Sequence, residues 1–74
     1  MLELGHAARV SAEVVNVEGR RVAVLTAGAW FEPGLHRIDW NGCDRRGSAM
    51  PAGNYFIRVE AGGESRTWKA VLIR

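Results

Sequence analysis

One cysteine, Cys43, stands alone in 74 residues, so no internal disulfide can staple the fold. The spacings that hold zinc, C-x-x-C and H-x-x-x-H, are absent, and His6, His36 and Cys43 do not form a ligand pattern. No apolar run approaches the ~20 residues that a bilayer-crossing helix needs. Charge of one sign is also lacking: ten basic residues, scattered from Arg9 to Arg74, face eight acidic ones for a net +2. No basic patch forms and no aromatics interleave with arginines, so a nucleic-acid partner is not expected. The opening Met1-Leu2-Glu3-Leu4-Gly5-His6 has no basic segment followed by an apolar core and does not read as a signal peptide; if the protein is exported, the signal lies elsewhere or was removed. No stretch shows a capped, sustained helical period.

What remains is β-pattern and punctuation. Apolar residues make up 47% and charged residues 24%, the balance of a folded domain rather than a disordered tail. Over Arg9 to Val17, Val10, Ala12 and Val14 alternate with Ser11 and Glu13, the period of a half-buried strand. Glu18-Gly19 is read as a tight turn into a second strand over Arg20 to Leu25, which includes Val22. Thr26 to Gly34 is read as a looser connection ending in the turn Pro33-Gly34, with Trp30 and Phe31 in a loop. Leu35 to Trp40 alternates again, with Ile38 and Trp40 as the strongest core candidates and His36 on their side. Asn41 to Ser48, with Asn41, Gly42, Asp44 and Gly47, reads as the longest loop. Pro51 and Gly53 then lead into a strand over Asn54 to Ala61, Gly62-Gly63 turns the chain, and Ser65 to Ile73 returns. Five strands with short turns, preceded by a vestigial one within residues 1–8, predict an all-β fold: one small antiparallel sandwich spanning 1–74.

Asn41 and Asp44 beside glycines invite a calcium loop, yet one carboxylate and one amide fall far short of six to eight oxygen ligands. Their side chains suit backbone turns instead. No catalytic, cofactor-binding or metal-binding residue is expected, and Cys43 reads as an incidental thiol. The candidate core and interface residues are Val10, Val14, Val22, Leu25, Trp30, Phe31, Ile38, Trp40, Tyr55, Phe56, Val59, Trp68 and Leu72. Alternation separates Tyr55 from Phe56 onto opposite faces, so part of the aromatic surface must lie outside a single core.

Taken in order, the series Val10, Val14, Asn16-Val17-x-Gly19-Arg20-x-Val22 and Leu25 is followed by Pro33-Gly34 and Trp40-Asn41-Gly42-x-Asp44-x-x-Gly47. Pro51-x-Gly53-x-Tyr55-Phe56, Lys69, Leu72 and Arg74 complete it. This series, over about residues 9 to 74, resembles the FlgD-like immunoglobulin domain, close kin of the C-terminal sorting domains of type IX secretion. Asn41 departs from the family's usual Asp, Asn54 from a β-branched apolar residue, and the first strand is reduced to about Leu2 to Leu4.

The resemblance implies an immunoglobulin-like β-sandwich at the end of a larger exported bacterial chain, acting at the cell surface or outside it without an active site. The partner it implies is protein: the parent chain, secretion or assembly machinery, or further copies of this chain as a homo-oligomer or filament. A carbohydrate-binding accessory domain is the remaining alternative. An immunoglobulin-like sandwich usually takes seven strands and ~100 residues. A shortfall at that scale predicts an unpaired edge or an apolar groove, and no proline lies within Arg9 to Leu25 or Asn54 to Ile73 to blunt one.

Overall fold

A computed structural model describes residues 2–73. It contains six strands: β1 (Leu2–Leu4), β2 (Ala8–Asn16), β3 (Arg21–Phe31), β4 (Gly34–His36), β5 (Gly53–Ala61) and β6 (Glu64–Leu72). They form two antiparallel sheets, one in the order β3-β2-β5-β6 and one of β1 and β4. The fold is a small immunoglobulin-like sandwich in which the second sheet is short and an irregular stretch from Arg37 to Ala52 completes its layer.

Alternation decides which side chains meet between the layers. Register pairs Val10 with Ala61, Ala12 with Val59 and Val14 with Ile57, so these share one face of the large sheet. Val10 and Val14 are fully enclosed, and Ala12, Val59 and Tyr55 nearly so. Leu2, at 7% exposure, closes the core from the opposite layer with help from Leu4 and Ile38. At the other end Val14, Val22, Ala23 and Tyr55 pack against Trp40, Met50 and Leu72. The Tyr55 hydroxyl donates to the Pro51 carbonyl at 2.7 Å, a tyrosine corner of the kind that locks immunoglobulin-like sandwiches.

The structure corrects several expectations. The second strand runs on from Leu25 to Phe31, so Trp30 and Phe31 belong to β3 and not to a loop. Three register shifts against β2 hide this strand, because each bulge breaks the period-two pattern that marks one. At the first, Val10 pairs with Ala29 and Ser11 with Ala27, leaving Gly28 as the extra residue. Its N–H donates to Ser11 Oγ at 3.0 Å, and its carbonyl accepts from Arg9 at 3.1 Å.

The strand expected over Leu35 to Trp40 is only Gly34–His36, paired with β1. Ile38 and Trp40 are half-buried residues of irregular backbone, placed by packing rather than by a ladder. The first turn is not a tight one at Glu18-Gly19: it runs from Asn16 to Arg20, and Val17 is exposed in it rather than in β2. Trp30, 59% exposed, lies outside the core. Leu25, Phe31, Phe56 and Leu72 are half-buried. Arg74, the last residue of the series quoted above, and Met1, the first of the vestigial segment, lie outside the described residues.

Candidate functional site

The loop that invited a metal reading is held by its own backbone. Asp44 Oδ1 accepts the N–H groups of Arg46 and Ser48, both at 2.9 Å, and Asn41 Oδ1 accepts that of Cys43 at 3.0 Å. Cys43 is half-buried and forms an isolated antiparallel bridge with Ala49, while its carbonyl accepts the Trp40 indole N–H at 2.8 Å. His36 meets Phe31 in a tilted ring contact, with centroids 4.7 Å apart and planes at 48°, and shares a 2.5 Å hydrogen bond with the Glu32 carbonyl. Among the described residues no group of three or more His, Cys, Asp or Glu side chains gathers in metal-binding range.

The outer face of the large sheet carries a charge cluster that sequence reasoning missed. Glu13 lies between Arg21 at 3.5 Å and Arg58 at 3.2 Å, in a shallow cavity of about 200 Å³. Cross-strand neighbours explain it: Glu13 pairs with Arg58 on β5 and with Val24 on β3, one position from the bulge that brings Arg21 alongside. The signal was present as Glu and Arg residues on three strands, but only register makes them neighbours. Glu13 neutralises one of the two arginines, and Glu60, which also lines the cavity, supplies a second carboxylate.

Aromatic residues do not line a flat face. Tyr55 and Trp40 are paired inside, Phe56 is on the outer face, and the exposed Trp30 and Trp68 lie on β3 and β6, the two opposite edges of the large sheet. A stacking row for a sugar chain is therefore not formed.

The distinctive surface is β6. It pairs with β5 along its whole length in uninterrupted register, Gly53 with Leu72 through Ala61 with Glu64, and its other edge meets no strand among the described residues. Beside it, Leu2, Ile38, Ile57, Val59 and Trp68 line an apolar groove of about 200 Å³ where the short second sheet fails to cover the large one. Trp68 is 38% exposed and Val71 59%. The opposite edge, β3, is kinked by its three bulges, a device that discourages pairing, whereas β6 has neither bulge nor proline.

Two antiparallel sheets packed on each other, with a free edge beside an apolar groove, define a small domain of the immunoglobulin-like class. A family model described as the FlgD Ig-like domain matches residues 2–65, and the chain belongs to that family. The match reaches back through β1, so the first strand belongs to the domain despite its length. The family is one of structural, non-catalytic domains suited to protein–protein contact. No curated protein and no solved structure matches the chain. No helix among the described residues is long and apolar enough to cross a membrane.

Proposed function

We propose that this chain is a non-catalytic module that docks onto protein through the free edge of β6 and the groove beside it. It serves an exported bacterial protein at the cell surface or outside the cell, in attachment, assembly or sorting of the type IX kind. The observation that carries the reading is the contrast between the two edges of one sheet: β3 is bulged along its length and β6 is left open next to uncovered apolar surface. Natural sheets either blunt an edge or use it to recruit a strand.

The test is site-specific photo-crosslinking in the producing cell, with the reactive group placed at Val71 on β6 and, as control, at Val17 in the first turn. Both positions are well exposed, 59% and 69%. Protein adducts from Val71 and none from Val17 support the reading. Equal labelling, or none from Val71, overturns it.

A further inference from the structure

The three bulges of β3 are not held in the same way. Nine residues of β3, Arg21 to Ala29, lie against six of β2, Val10 to Val15, because every third residue is extra: Val22, Leu25 and Gly28. Val22 is buried and Leu25 packs against both halves of the core, so the first two bulges are fixed by the burial of their own extra side chains. Gly28 has no side chain to bury. Its N–H donates to Ser11 Oγ at 3.0 Å and its carbonyl accepts from Arg9 Nη1 at 3.1 Å, so both of its backbone groups are taken by exposed side chains of the neighbouring strand. Arg9 and Ser11 alternate with the buried Val10 and Ala12 and therefore stand on the outer face of the sheet.

We propose that Arg9 and Ser11 are an autoinhibitory latch: by holding Gly28 out of line they close the Ala27–Phe31 end of the β3 edge against the addition of another strand.

The extra residue of a bulge is left out of the ladder, and its N–H and C=O need partners elsewhere. Gly28 has φ +72°, a conformation that glycine takes without steric cost and that turns its peptide groups out of the strand. While the two side chains hold it there, Ala27 and Ala29 are not consecutive positions, and an incoming strand loses register between them. With the bulge undone, Ala27 and Ala29 become neighbours against Ser11 and Val10. The end of β3 then runs straight and carries Trp30, 59% exposed. A straight edge with large exposed apolar side chains is the kind that recruits another chain. Hydrogen bonds as exposed as these two are individually weak, so this bulge can open while the two fixed in the core stay shut. The latch touches neither β6 nor the groove beside it, so it stands or falls separately from the docking reading.

The experiment places a photo-reactive residue at the exposed Ala27 of the purified 74-residue chain and measures copy-to-copy adducts over a range of concentrations, with hydrogen exchange at the Gly28 amide read in parallel. The same group at Val17 sets the background, so association elsewhere on the surface is not mistaken for pairing at β3. The parent is expected at background. Ser11→Ala should speed exchange at Gly28 several-fold, and the double variant Arg9→Ala, Ser11→Ala should raise Ala27 adducts several-fold above background. Ser11→Thr keeps the hydroxyl acceptor and should behave as the parent. Deletion of Gly28 removes the bulge outright and should give the most adducts; if that chain does not fold, the double variant, unchanged in length and altered only at exposed positions, decides alone. Adducts from Ala27 in the parent equal to those of the double variant overturn the proposal. So do faster Gly28 exchange in the double variant with adducts still at background, and Gly28 exchange that Ser11→Ala leaves unchanged.

Discussion

Asn16 and Asp44, far apart in the chain, close two turns with the same set of hydrogen bonds. Each side-chain Oδ1 accepts the N–H groups two and four residues on, Glu18 and Arg20 in one case and Arg46 and Ser48 in the other. Each main-chain N–H donates to the carbonyl four residues on, and each carbonyl accepts from the glycine three residues on. The shared sequence is Asx-x-x-Gly, Asn16-Val17-Glu18-Gly19 and Asp44-Arg45-Arg46-Gly47. One carboxamide or carboxylate oxygen thus organises a five-residue turn, and the glycine supplies the positive φ that closes it.

Removing either acceptor should loosen its turn. Asn16→Ala and Asp44→Ala are each expected to cost about 1 kcal/mol, since the freed N–H groups are exposed and water partly replaces the lost bonds. Asn16→Asp keeps the oxygen and should be close to neutral. Urea melts of the three variants distinguish these outcomes, and an unchanged Asn16→Ala midpoint would remove the role assigned to its side chain.

Gly19 has φ +82° with open space around its α-carbon, so a side chain there meets strain and no clash. Gly19→Val is expected to destabilise the domain by about 1 to 3 kcal/mol through the backbone alone. Thermal melts read the loss, and a variant as stable as the parent would contradict the turn geometry.

Calcium or zinc should leave the melting temperature unchanged, because stabilisation by linkage needs a site on the folded form and Asp44 Oδ1 already serves two N–H groups. A rise that scales with metal concentration and disappears in Asp44→Ala would show that the loop binds metal after all.

Trp40 and Tyr55 bridge the layers, with ring centroids 4.9 Å apart and planes at 60°. Trp40 is half-buried, so Trp40→Ala should cost about 3 kcal/mol, the low end for an aromatic truncation. Tyr55→Phe keeps the ring contact and loses the bond to Pro51, a cost of about 1 kcal/mol. The two changes share a neighbourhood and should not add; a double-mutant cycle in denaturant measures the coupling. Strict additivity would show that the ring pair and the tyrosine corner act independently.

Strand identity was legible wherever one face of a regular ladder is buried. Val10-Ser11-Ala12-Glu13-Val14 is visibly β2, and the runs on either side of Gly62-Gly63 are visibly a hairpin, because period-two burial and turn chemistry are both local. The distal half of β3 was illegible for the converse reason. Its bulges shift side chains from one face to the other, so Thr26 to Phe31 carries no alternation even though it is paired.

The sequence by itself determined the class of the domain, since hairpin turns, β-branched alternation and the order of the glycine-marked turns need no knowledge of what packs on what. It also predicted five strands and a short one before them, fewer than the seven usual for such a sandwich. Only the tertiary structure decided where the shortfall falls. Whether a strand is central or at an edge depends on partners distant in the chain, and β2 and β6 look equally regular until β5 is seen to separate them. The Glu13 pairing with Arg21 and Arg58, the seating of Ile38 and Trp40 without a ladder, and the uncovered groove beside Trp68 all arise from cross-strand register. Register is a property of two segments at once, and no single segment encodes it alone.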